Sequence, residues 1–213
     1  MFSIVIPTLN NLKYLKLCIN SIIKNSKYNH EIIPHVNIGE DGTIEYLKEN
    51  YIKYTYTKNN SGICRGMNLA AKESKYDYIL YAHDDFYFCP NWDQILLNEI
   101  NLIGHNKFYL SGTMVNNGQI DFNCGNTIDD FDEKKFLEHY KKYNYYDFQG
   151  STWAPHLIHK DEWNRVGGFS EEFYPGTGSD PDLNMKLWKA GIRIFKGLNN
   201  FKVYHFGSVV TRK

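Results

Sequence analysis

Apolar positions in the first half of the chain follow two alternating spacings. Ser3 to Pro7, Glu31 to Ile38, Tyr51 to Thr57 and Asp77 to Ala82 are short apolar runs with the length of buried strands. Between them, Leu12, Leu15, Ile19, Ile22 and Ile23 recur at helical spacing. A second helical stretch runs from about Ile63 to Glu73, and a third places Trp92, Ile95, Leu96 and Ile103 on one face. Gly39 to Gly42 and Asn59 to Gly62 supply turns. Pro7 is expected to stop the first strand and Asn10 to cap the helix after it. Strand and helix in alternation predict an α/β fold, with a mostly parallel central sheet and helices on both faces.

The second half is less regular. Phe108 to Gly112, Trp153 to His159, Ile192 to Phe195 and Phe201 to Phe206 are strand-like. Asp129 to Tyr143 predicts a charged, exposed helix. Asp182 to Ala190 predicts a helix closed by Gly191 in the left-handed position. With no repeat or linker, one domain over residues 1–213 is expected, its two halves being 1–104 and 105–213.

Charge narrows the partners. Lysine and arginine number 24 and acids 24, so the net charge is zero and a broad nucleic-acid surface is not expected. No apolar run approaches the ~18 residues of a membrane span, so no integral membrane segment is expected. Cys18, Cys64, Cys89 and Cys124 form no C-x-x-C pair, which argues against a zinc knuckle or a disulfide scaffold. A reducing, cytoplasmic setting is the expectation.

The most informative segment is the strand that ends in His83-Asp84-Asp85. Adjacent carboxylates are costly to hold together without a cation or water. The C-terminal ends of parallel strands form the crevice where open α/β sheets bind ligands. A divalent-cation site for a phosphate-bearing substrate follows, and two solvated turn acids are the alternative.

Seven segments in order, SIVIPTLNN, IGEDGT, NNSGICRGMNLAAKES, YDYILYAHDDFYFCPNW, GSTWAPHLIHKDEWNRVGGFSEEF, GTGSDPDLNMKLWKAG and KVYHFGS, resemble glycosyltransferase family 2. The resemblance covers nearly the whole chain. It implies a GT-A (Rossmann-like) nucleotide-sugar-binding fold, with the donor on residues 1–104 and the acceptor and catalytic base on an elaborated 105–213 half. It further implies an inverting, metal-dependent glycosyltransferase. The donor would be a UDP-, GDP- or dTDP-sugar, and the acceptor a glycan or lipid-linked hydroxyl approached peripherally. His83 stands at the first position of the family's D-x-D, Val36 or Asn37 where an acid commonly reads the base, and Ser179 where a Glu often sits.

On that resemblance Asp85 is the leading metal ligand, with Asp84 a second ligand or a ribose contact. Oxygen ligands suit Mg²⁺ or Mn²⁺, and an imidazole favours Mn²⁺. His205 matches the family's terminal metal-facing histidine; a sheet histidine held by a hydrogen bond is the alternative. His83 replaces the missing acid, contacts ribose or points into the core. Asp180 matches the base that deprotonates the acceptor hydroxyl. Asp182 is either an acceptor contact or a helix-start acid. Pro7, Thr8 and Asn10 would line the nucleotide, or merely end a strand and cap a helix. Asp41 contacts base or ribose, or forms the turn before Gly42. Arg65 approaches the nucleotide or is a surface cation. Trp153 is an acceptor-sugar platform or a core side chain, and Tyr140, Tyr143, Tyr145 and Tyr146 form an acceptor loop or a partner surface. Three rivals remain: a sugar-1-phosphate nucleotidyltransferase, disfavoured because PTLNN is not a Gly-rich basic loop; a metal phosphohydrolase using His83 and Asp84, disfavoured because that pair ends a strand and not a helix among further histidines; and a binding module without turnover.

Overall fold

The computed structural model describes residues 1–145, 147–149 and 153–207. The first half alternates as the spacing predicts. Strand β1 (Ser3–Leu9) is followed by α1 (Leu12–Asn25), β2 (Glu31–Asn37), α2 (Thr43–Glu49), β3 (Thr55–Thr57), α3 (Gly62–Lys72), β4 (Tyr78–Tyr81), β5 (Phe86–Phe88) and α4 (Trp92–Ile103). Then come β6 (Phe108–Val115), α5 (Glu133–His139), a single 3-10 turn at Tyr140–Lys142, β7 (Phe148–Gln149), β8 (His156–His159), α6 (Lys160–Val166), α7 (Ser179–Lys189) and β9 (Ile194–His205).

Among the described residues nine strands form one sheet in the order β3-β2-β1-β4-β8-β6-β9-β5, with β7 also on β9. The first four strands are parallel. β8 is antiparallel to both β4 and β6, so it joins the two halves of the chain into a single sheet. β6 and β9 are parallel, whereas β5 and β7 run antiparallel to β9. Helix α3 packs on β1 and β2, α1 on β5 and α4 on β9. The main core lies between these helices and the sheet. A second apolar cluster gathers Tyr87, Cys89, Phe136, Tyr140, Tyr204 and Phe206.

Several local expectations are corrected. β1 continues through Pro7 to Leu9, because its pairing with β4 ends at Val5 and only β2 flanks the proline. The residue before α1 is Asn11, which makes no side-chain cap; Asp41 Oδ2 accepts from Leu12 N instead (2.7 Å). β3 starts only at Thr55, since Tyr51 has a positive φ of 53° and is 97% exposed. The helix expected over Asp129 to Tyr143 shrinks to α5, because Asp130 folds onto Thr127 and Asp132 caps Lys135 N. It is not simply exposed: Phe136 and Tyr140 are buried. Tyr143 stacks on Phe122 at 4.2 Å, and Tyr146 lies outside the described residues. The two late strands are one, β9, whose register against β6 shifts between Ser111 and Thr113. Gly191 has the expected left-handed φ, 93°.

Candidate active site

The crevice opens where β1 and β4 part. Ala82 N makes the last bond to β1, on Val5 O, and the two chains then diverge. Across the gap Thr8 Oγ1 donates to Asp84 Oδ2 (2.7 Å). Burial and the neighbouring Asp85 push the Asp84 carboxyl up to about 7, while Thr8 and Asn11 oppose the rise.

Asp85 is buried, 3% exposed, and faces His205 Nε2 at 3.5 Å from its Oδ2. The antiparallel pairing of β5 with β9 sets this contact by placing Phe86 opposite His205. His205 Nδ1 lies 2.9 Å from Asn117 O. A carbonyl can only accept, so Nδ1 carries the hydrogen and Nε2 is left as the lone-pair nitrogen aimed at Asp85. His83 completes the group: ligand atoms of His83, Asp85 and His205 all lie within 4.8 Å of one another. His83 stacks on Phe86 (4.9 Å) and meets the Tyr81 hydroxyl through Nε2 (2.7 Å), which leaves Nδ1 for another partner. Burial lowers the His83 pKa to about 4, so its imidazole is neutral and able to ligate. These three side chains could hold a metal ion.

The second part of the crevice centres on Asp180 in the first turn of α7. Burial raises its carboxyl to about 7. Its Oδ1 is buried with no hydrogen-bond partner among the described residues. His156 Nδ1 stands 3.8 Å away and 2.6 Å from the Tyr109 hydroxyl. Tyr81 lies between the two parts, with ring centroids 5.2 Å from His83 and 5.7 Å from His156. Its hydroxyl is pushed well above the usual value, first by burial and then by the charges of Asp180, Asp85 and Asp84.

The other expected site residues fall at different distances from this chemistry. Asp182, two residues beyond Asp180, accepts from Ser170 Oγ (2.6 Å), which in turn meets Lys186 Nζ. Both oxygens of Asp41 are engaged, by Leu12 N and by the Thr43 amide and hydroxyl. Asn10 has a positive φ of 46°, and its Oδ1 accepts from Glu40 N. Pro7 is buried within β1. Arg65 lines a cavity of about 480 Å³ with Thr57, Asn60, Ser61, Glu171 and Tyr174, where β3 meets α3. Beneath it His35 is buried against Thr55 and Thr57, and a Cβ on Gly66 would come within 2.6 Å of its ring. Trp153 is 54% exposed, which removes the core alternative for it.

Tyr81, His156, Tyr109, Asn117 and Asn11 are site residues that the motifs do not single out. Tyr81 alone carries a signal, since it lies two residues before His83 on the same strand edge. The others reach the site only through tertiary pairing.

The chain is thus an α/β domain with a mixed sheet and a carboxylate-imidazole cluster at its strand ends. The model of the family described as "Glycosyl transferase family 2" matches residues 3–170. Chondroitin synthase of Pasteurella multocida is 26% identical over 242 aligned positions, covering 95% of this chain but 24% of that protein. An uncharacterised glycosyltransferase of Rickettsia conorii is 36% identical over 97 positions, 43% of this chain and 16% of its own length. The chain thus spans about a quarter or less of these curated relatives. Among solved structures, S. aureus TarS 1–349 in complex with UDP superposes with a TM-score of 0.70 at 18% identity, over 95% of this chain and 59% of that one. The same protein with UDP-GlcNAc gives 0.65 at 17%, over 95% and 57%. The chain belongs to glycosyl transferase family 2 and has the GT-A fold.

Proposed function

We propose that this chain is an inverting glycosyltransferase domain that moves a sugar from a nucleoside-diphosphate sugar to an acceptor hydroxyl. The observation that carries the reading is Asp180: a carboxylate with a buried, unpartnered oxygen and a pKa near 7, separated by Tyr81 from the His83–Asp85–His205 cluster. A carboxylate without donors is a stronger base than one held by them, and a pKa near 7 suits proton abstraction at neutral pH.

His83, Asp85 and His205 fit a divalent cation, because their ligand atoms lie within 4.8 Å of one another and Asn117 O takes the Nδ1 hydrogen of His205, leaving Nε2 for a ligand, while Tyr81 holds the ring of His83. Mn²⁺ suits this N/O set better than Mg²⁺. Such a cation supplies neutralisation of charge on the departing diphosphate. Thr8 holds Asp84 beside the ribose or diphosphate. The nucleoside extends over the ends of β1 to β3, with Arg65 and the cavity beside it at the base end. Pro7, Asn10 and Asp41 shape the loops under it, and residues 1–104 supply most of the donor contacts. Residues 105–213 supply the acceptor side, where Asp180 takes the proton as the hydroxyl attacks the anomeric carbon. Trp153 offers an exposed aromatic face to a sugar ring, and Asp182 positions the loop at Ser170. The UDP and UDP-GlcNAc bound in the TarS crystals and the name chondroitin synthase favour a UDP-sugar donor and a glycan acceptor.

Calorimetric titration of UDP, GDP, dTDP and CDP, each with and without Mn²⁺, tests the reading, with Asp85→Ala as control. Binding of one nucleotide that needs both Mn²⁺ and Asp85 is expected. Binding by none of the four would overturn the metal–diphosphate site. Binding followed by neither transfer nor hydrolysis of the cognate sugar nucleotide would identify a module without turnover.

A further inference from the structure

β9 carries a lysine where its pattern calls for an apolar side chain. Successive side chains on a strand point to opposite faces. Val203 belongs to the main core, and Tyr204 to the second cluster. Lys202 shares the face of Tyr204 and is only 3% exposed. Among the described residues its ammonium has neither a hydrogen bond nor an ion pair, while Lys196 on the same strand has two acids. Burial lowers its pKa below the ordinary lysine value. A largely buried cation without a counter-charge is costly, and an anion in the space it faces would offset that cost.

The space for one is present. Lys202 lines a cavity of about 320 Å³ with Asn91, Tyr140, Lys141 and Asn200. Lys141 adds a second positive charge, and both ammonium groups act on the thiol of Cys89, so they converge on one region. Asn91 also precedes α4, a twelve-residue helix whose N-terminus carries partial positive charge. The acid of that first turn, Asp93, accepts from Lys27 N, Tyr28 N and the His30 ring through Oδ2 and from Gln94 N through Oδ1, so part of the helix charge is already answered. Among the described residues no acid lines the cavity. The position is remote from the crevice: Cys89 N bonds Lys202 O, four residues along from Asp85, about 13 Å at the rise of a strand.

We propose that this cavity is a phosphate-binding site separate from the donor crevice, with Lys202 as its buried anchor and Lys141 at its mouth. Two lysine ammonium groups match a doubly charged phosphate better than a singly charged carboxylate. The phosphate could be free, carried on a sugar, or part of a lipid headgroup.

Titration calorimetry with inorganic phosphate tests this on the intact chain, Lys202→Met, Lys141→Met and Asp85→Ala. Wild type and Asp85→Ala are expected to bind alike, Lys202→Met at least tenfold more weakly, and Lys141→Met several-fold more weakly. Binding that persists in both lysine variants, or is lost in Asp85→Ala, would overturn the proposal, as would no binding by wild type. Should Lys202→Met fail to fold, Lys141→Met and Lys202→Gln carry the test. Co-sedimentation with phosphatidic acid vesicles that Lys202→Met abolishes assigns the phosphate to a lipid headgroup; absence of co-sedimentation with phosphate binding retained assigns it to a soluble ligand.

Discussion

The two parts of the crevice treat their acids in opposite ways. Around Asp84 and Asp85 the side chains are braced: Thr8 holds Asp84, Asn117 fixes His205 and Tyr81 fixes His83. Around Asp180 one buried carboxylate oxygen has no hydrogen-bond donor among the described residues, and the near imidazole of His156 is turned to Tyr109. Bracing suits groups that must keep one geometry around a fixed charge. An unbraced carboxylate suits a group whose protonation changes during turnover. Asp182 makes the same point within one helix turn, since its hydrogen bond to Ser170 gives it the braced character that Asp180 lacks.

The sharpest way to break this contrast is to remove the unbraced acid. Asp180→Asn keeps the shape and loses the base, so kcat in a transfer assay should fall by about 10²–10⁴, while calorimetric nucleotide affinity stays unchanged. An equal loss of affinity would return Asp180 to the braced group. Next in size is Tyr81→Phe, which removes the hydroxyl from His83 Nε2. Affinity for Mn²⁺, read by titration, should drop by about 10–100-fold, as for other partners of metal-bound histidines.

Smaller effects follow pH. With Asp180 near 7, activity should decline below that pH, and the decline should be shallower for the residual activity of Asp180→Asn, where Asp84 alone still titrates near 7. The sign for stability is the reverse. An acid whose folded-state pKa lies above its unfolded value keeps its proton longer when folded, so its contribution is favourable at low pH. That contribution declines as pH rises from the ordinary 3.8 to about 7. Denaturant midpoints measured across that window should fall less steeply in Asp180→Asn than in wild type. The smallest effect is expected from Asp182→Asn. It should cost about 1 kcal/mol of stability in urea melts through the weakened Ser170 bond, with kcat nearly intact.

The parallel half of the sheet was legible because buried parallel strands are short unbroken apolar runs, and Leu15, Ile19 and Ile22 announce the helix that covers them. Two seven-residue helices, α2 and α6, were not, since each spans barely two turns and shows no apolar stripe. The order of strands in the second half was also hidden. Nothing local in His156–His159 says that β8 enters between β4 and β6 and brings His156 to Asp180. Asp85, His205 and Asp180 could be picked from ordered motifs. Their orienting partners could not, because Asn117 and Tyr109 reach them only through strand pairing and a loop return.

β9 makes both sites depend on counting. His205 and Lys202 are three positions apart and so lie on opposite faces of one strand. A single residue inserted or deleted between Lys202 and His205 would put both side chains on one face, so that either His205 would turn away from Asp85 or Lys202 would leave its cavity. The spelling of this strand is therefore constrained twice over. The distance in residues from Lys202 to His205 thus serves both sites at once.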